Sequence, residues 1–111
     1  MKYFGLTINL KDDPEVIKRY KSHHQNVWPE VEEGLRSAGI THMKIFLLGR
    51  RLFMYMEADD NYNPLRAQEV YMEHPRVPEW EALMQGLQEP VPEASSGEWW
   101  ALMEPVYELK G

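Results

Sequence analysis

The chain has 111 residues, 43% of them hydrophobic and 27% charged, with a formal charge of −6 and no cysteine. That length holds one core, and the missing cysteines exclude disulfides, thiolate nucleophiles and cysteine-held metals. The acidic balance, with 12 basic residues spread along the chain, opposes a nucleic-acid partner and suits a neutral substrate.

No run approaches the ~18 consecutive apolar residues that a transmembrane helix needs. The opening MKYFGLTINLKDD reaches acidic residues at once and lacks a signal-peptide cleavage site. It reads as the first strand of a cytoplasmic, non-membrane protein. Residues 2–10 alternate, with Phe4, Leu6, Ile8 and Leu10 on one face and Tyr3, Gly5, Thr7 and Asn9 on the other. Asp13 is an N-cap and Pro14 a first helical residue, which predicts a helix to about His24. Pro29 disfavours helical geometry at Trp28 and opens a second helix, stopped by Gly39. ITHMKIFLL (40–48) and RLFMYMEA (51–58) read as strands joined by a tight Gly-Arg hairpin.

Asn63-Pro64 begins a third helical stretch, interrupted by HPRVP. PEWEALMQGL (78–87) is an amphipathic helix, with Trp80, Leu83, Met84 and Leu87 at helical spacing. EPVPEASSG (89–97) is a loop, and EWWALMEPVYEL is the final strand, with Pro105 implying an edge or a bulge. The order is that of an α+β, ferredoxin-like βαββαβ subunit occupying residues 1–111 as one domain. Helices on one face leave the other sheet face open, and a homodimer packing sheet on sheet is the economical cover. Trp99, Trp100 and Tyr107 suit burial at such a junction, and Met54, Met56, Met84 and Met103 read as core filling.

The stretch KSHHQNVWPE carries the candidate chemistry. Tyr20 and His24 are four apart and share one helix face, while His23 points about 100° away, toward the side of Val16 and Arg19. A histidine at a helix end is often only a dipole-friendly surface residue. A metal site is not expected, because adjacent helical histidines diverge and no further ligands converge on them. His42 and His74 read as exposed or loop residues. The functional alternative is general acid/base catalysis by His24, whose side chain takes and gives a proton near neutral pH. Indole faces beside it suit the C–H faces of a sugar.

Tyr20, His24, Trp28, Pro29 and Glu30 form a Tyr-x3-His-x3-Trp-Pro-Glu pattern that resembles the N-terminal signature of the L-rhamnose mutarotase family. GITHMKIFLLGRRLFMYME resembles that family's central hairpin, RVPEWEALM its tryptophan-bearing helix and WALMEPVYEL its ending, so the likeness spans nearly the whole chain. HPRVPEWE and GEWWALME are closer to an L-fucose-associated branch.

The resemblance implies a dimeric α/β-barrel assembly of ferredoxin-like subunits. It implies interconversion of the α and β anomers of a 6-deoxy-L-hexose, L-rhamnose or L-fucose, with no cofactor. His24 and Tyr20 are then the catalytic pair. Trp80 and Tyr62 bind substrate, and Trp28 serves positioning or packing at the substrate site. Rhamnose-acting members carry two consecutive tryptophans where this chain has Glu79-Trp80, which weakens L-rhamnose as the substrate. Two other readings compete: a cofactor-independent monooxygenase or haem-handling protein of the same architecture, and a non-catalytic dimeric binding module.

Overall fold

The computed structural model describes residues 1–111. In chain order the elements are β1 (Lys2–Leu10), α1 (Pro14–His23), α2 (Pro29–Ser37), β2 (Ile40–Leu48), β3 (Arg51–Ala58), α3 (Pro64–Glu73), α4 (Val77–Gln85), β4 (Gln88–Glu89) and β5 (Ala101–Leu102). The local signals are used as the sequence places them. Asp13 accepts from the Glu15 N–H at 2.9 Å to cap α1, and Asn63 accepts from the Leu65 and Arg66 N–H groups at 3.0 and 3.2 Å to cap α3. Gly39 (φ 97°) closes α2 and Gly49 (φ 61°) turns the β2–β3 hairpin, both in the left-handed region that glycine enters without a Cβ clash.

The sheet is antiparallel, in the order β2-β3-β1-β4, with β5 also pairing β1. β1 lies between β3 and the two short C-terminal strands, as a ferredoxin-like βαββαβ chain requires. Register sets the two faces: Ile45 pairs Met54 and Leu47 pairs Leu52 on one side, while Phe46 pairs Phe53 on the other. Ile8, Leu10 and Leu52 form a core with Val16, Tyr20, Val31, Tyr71, Val77, Trp80 and Met84 of the four helices. The helices therefore cover one sheet face. On the other, Phe46, Leu48, Phe53 and Tyr3 are exposed, but Thr7 and Asn9 are buried and bonded, Thr7 to the Leu52 carbonyl at 2.7 Å and Asn9 to Arg51 Nε at 2.8 Å.

The final strand differs from expectation. Only Ala101 and Leu102 pair as a strand, opposite Thr7 and Leu6, and one further bond runs from the Met103 N–H to the Gly5 carbonyl at 2.8 Å. Continuing that register would set Pro105 against Tyr3, where it has no N–H to donate, so the ladder stops. Gln88 and Glu89 take the other end of the same edge, and residues 90–100 loop between the two pieces. Val106, Tyr107 and Leu109 are left exposed, so Tyr107 is not buried in this chain, and Met103, expected in the core, is 45% exposed. A further irregularity at Ile40–His42 shifts the β2–β3 register. No helix is long and apolar enough to cross a membrane.

Candidate active site

His24 ends α1 as its C-cap residue. Its ring stacks on Tyr20, with centroids 4.2 Å apart and planes at 28°, as a four-residue helical spacing allows. Its Nδ1 lies 2.9 Å from the Tyr20 carbonyl oxygen. A carbonyl oxygen only accepts, so Nδ1 carries the proton and Nε2 of the neutral ring keeps its lone pair. Burial lowers the His24 pKa below its ordinary 6.5, opposed by that backbone hydrogen bond and helped by the neighbouring His23. At neutral pH the ring is therefore held as an uncharged base in one tautomer.

Trp80, on α4, meets His24 edge-on at 5.4 Å and Trp28 at 5.2 Å. Trp28 is in turn covered by the Arg76 guanidinium, 3.9 Å from the ring centre. Arg76 sits at the start of α4 with φ 69°, the one non-glycine residue in the left-handed region, and its side chain also reaches Glu79 at 3.3 Å. The HPRVP interruption is thus a bend that drives α4 against the end of α1. His23 does not diverge fully from its neighbour: its ring also approaches the Trp80 edge, at 6.2 Å.

These residues flank a cavity of about 690 Å³ between the helices and the sheet, a size common for small-molecule sites. Tyr20, His24, Tyr62 and Trp80 line it, and Ile45, Leu47 and Met54 contribute to its apolar strand side. Trp28 does not line it and packs behind Trp80. Tyr62 leans on Phe4, centroids 5.5 Å apart, and burial raises its hydroxyl pKa.

Two further lining residues, Glu81 and Gln88, escaped the sequence reading, and Trp100, expected at the sheet junction, instead lines the cavity and packs on the core. Gln88 is buried, accepts from the Trp99 indole N–H at 2.8 Å and stands at the Tyr20 hydroxyl. Burial drives the Tyr20 pKa far up, Gln88 opposes the shift and the charge of Glu81 adds to it, so the phenol stays protonated. Glu81 accepts from the Tyr71 hydroxyl at 3.2 Å. Burial raises the Glu81 carboxyl pKa, only partly countered by Tyr71. Nothing local in the sequence marks these residues, because long-range packing gives them their meaning. No group of three His, Asp and Glu side chains is placed to hold a metal ion.

A profile of the L-rhamnose mutarotase family matches residues 3–109. An L-fucose mutarotase from Xanthomonas campestris is 38% identical over 98% of this chain and 89% of its own length. A UPF0734 protein from Dictyostelium discoideum is 45% identical over 97% of this chain and 90% of its own. Among solved structures, L-rhamnose mutarotase FA22100 from Formosa agariphila superposes with a TM-score of 0.72 at 17% identity, covering 99% of this chain and all of that one. Tetracenomycin F2 cyclase from Streptomyces glaucescens shares the fold at a TM-score of 0.61 and 14% identity. With a family profile running over nearly its whole length, the chain belongs to the L-rhamnose mutarotase family.

Proposed function

We propose that residues 1–111 act as one cytoplasmic mutarotase domain, working as a homodimer without a cofactor. It interconverts the α and β anomers of a free 6-deoxy-L-hexose, L-fucose before L-rhamnose. The observation that carries the reading is His24 at the cavity wall, with Nδ1–H bound to the Tyr20 carbonyl and Nε2 left to accept a proton. The full-length similarity to an L-fucose mutarotase and the single tryptophan of the Glu79-Trp80 pair favour the fucose configuration.

Mutarotation opens a hemiacetal and closes it on the other face of the former carbonyl carbon. Opening removes the proton of the anomeric hydroxyl and protonates the ring oxygen, and closing reverses both transfers. His24, neutral near pH 7, takes the hydroxyl proton as a base and returns it as the conjugate acid. Tyr20, kept protonated by its burial, donates a hydrogen bond to a sugar oxygen. Trp80 and Tyr62 offer apolar faces with polar edges to the C–H side of the ring. Trp28, itself outside the cavity, steadies Trp80.

Saturation-transfer NMR on L-fucose and L-rhamnose tests this by reading anomer exchange directly. The wild-type protein should speed exchange of L-fucose more than of L-rhamnose. His24→Ala should lose roughly 10²–10⁴-fold of that acceleration, the usual worth of general acid/base assistance. A His24→Ala protein that exchanges anomers at the wild-type rate rules out the assignment.

A further inference from the structure

We infer that Glu81 is the second proton-transfer group of the site, delivering a proton to the ring oxygen while His24 removes the one on the anomeric hydroxyl. The inference rests on the mutarotase reading above and names the partner which that reading leaves unassigned.

Glu81 follows Trp80 on α4 and lines the same cavity as His24. The Tyr71 hydroxyl, from α3, donates to Oε2 at 3.2 Å. The three ion pairs of the molecule all lie elsewhere, so no cation compensates this half-buried carboxyl. A group with the sole task of tying α4 to α3 gains nothing from being ionisable. Glutamine accepts the same phenol bond without the cost of a desolvated charge. An acid retained at a cavity wall under those conditions suits proton delivery.

Burial favours the protonated form of Glu81, and the bond donated by Tyr71 opposes it in part. Tyr71 from α3 and Tyr20 from α1 face the carboxyl as neutral phenols. His24 from α1 is neutral, and the remaining charged lining groups, Lys21 of α1 and Glu32 of α2, are exposed. Burial accordingly holds the Glu81 pKa above the ordinary carboxylate value. The carboxyl and the imidazole line one cavity, and burial favours the neutral form of each.

The step balances. As the C1–O5 bond breaks, its electron pair goes to O5, which takes the Glu81 proton. The O1–H pair forms the C1=O bond while His24 Nε2 takes that proton. After rotation about C1–C2, O5 attacks the other face of C1, its proton returns to Glu81, and the carbonyl oxygen recovers the proton from His24. Both residues end as they began, and no oxidant, reductant or third reactant is required.

The test is anomer exchange of L-fucose as a function of pH in the wild type, Glu81→Gln and Tyr71→Phe. The wild-type profile should be bell-shaped, falling at low pH as His24 protonates and at high pH as Glu81 ionises. Glu81→Gln should lower kcat about 100-fold with little change in KM, and its profile should lack the alkaline fall. Tyr71→Phe removes a donor that stabilises the carboxylate, so its alkaline fall should move to higher pH. A side-chain carboxyl titration by 13C NMR gives a readout independent of activity: one carboxyl should titrate above the others and vanish in Glu81→Gln. A folded, sugar-binding Glu81→Gln protein with wild-type kcat and profile overturns the inference while leaving the mutarotase reading standing. A wild-type protein that exchanges no 6-deoxy-L-hexose overturns both.

Discussion

At the scale of single residues, the proposed chemistry requires an imidazole kept uncharged inside a protein wall. His24 achieves this through burial and through one backbone acceptor that fixes its tautomer. The arrangement has a stability consequence with a definite sign. The folded pKa lies below the ordinary 6.5, so under mildly acidic conditions the unfolded chain binds a proton that the folded chain does not. This contribution is undiminished above pH 6.5 and is lost as pH falls toward the folded pKa. Glu81 acts in the opposite sense, since a raised folded pKa costs stability as pH rises through its own titration. In paired urea melts, His24→Gln should therefore lose less stability than the wild type between neutral and mildly acidic pH. Parallel pH dependences would mean that the imidazole protonates as freely in the folded protein as in the unfolded chain. Tyr20 and His24 were legible in advance because their relation is local, four residues apart in a helix bounded by Asp13-Pro14 and Trp28-Pro29. Glu81 was not, being one of 18 acidic residues until the packing of α3 and α4 singles it out.

Between elements, the site is held by how closely α2, α3 and α4 approach one another. Gly34 in α2 is the contact point: a Cβ there would meet Tyr71 Cδ1 at 3.0 Å and Val77 Cγ2 at 3.3 Å. Alanine in a helix interior ordinarily gains up to ~1 kcal/mol over glycine. Here Val77 is fully buried and Tyr71 is nearly so, with its hydroxyl committed to Glu81, so neither yields easily. Overpacking of about 1–3 kcal/mol should outweigh the propensity gain, leaving Gly34→Ala destabilised by about 1 kcal/mol in urea denaturation. A more stable Gly34→Ala protein would show that Tyr71 has room to retreat. The same long-range dependence explains which elements could be read. Helix starts, the β2–β3 hairpin and the strand order follow from capping residues, prolines and alternation that lie in the sequence. The C-terminal strand does not, because alternation over residues 98–109 says nothing about how much of β1's edge is left to pair. Register sets Pro105 where a donor is needed, and β4 already occupies the far end.

For the molecule as a whole, the question is what covers the bare side of the sheet. Phe46 and Phe53 stack across β2 and β3 with centroids 6.1 Å apart, and Tyr3 stacks on Tyr55 at 6.5 Å, yet Phe46 is 55% exposed and Leu48 85%. A row of ordered aromatic and aliphatic groups facing outward is the pattern of a surface that meets another protein. The C-terminal segment adds Val106, Tyr107 and Leu109, all exposed, although the family match runs through residue 109. A second copy packed sheet against sheet, as proposed above, would cover these groups by two-fold symmetry. His24, Trp80 and Glu81 line the cavity on the helical side of the sheet, whereas Phe46 stands on the opposite face. Phe46→Glu sets a charge on the proposed junction at a side chain that is 55% exposed and outside the buried core. The wild-type protein should elute and sediment at twice its 13.1 kDa chain mass, and Phe46→Glu should shift toward a single chain with its far-UV circular dichroism unchanged. A wild-type protein that stays at the single-chain mass into the upper micromolar range rejects the sheet-on-sheet dimer. A Phe46→Glu protein as dimeric as the wild type moves the interface elsewhere and leaves the exposed aromatic row in need of another partner.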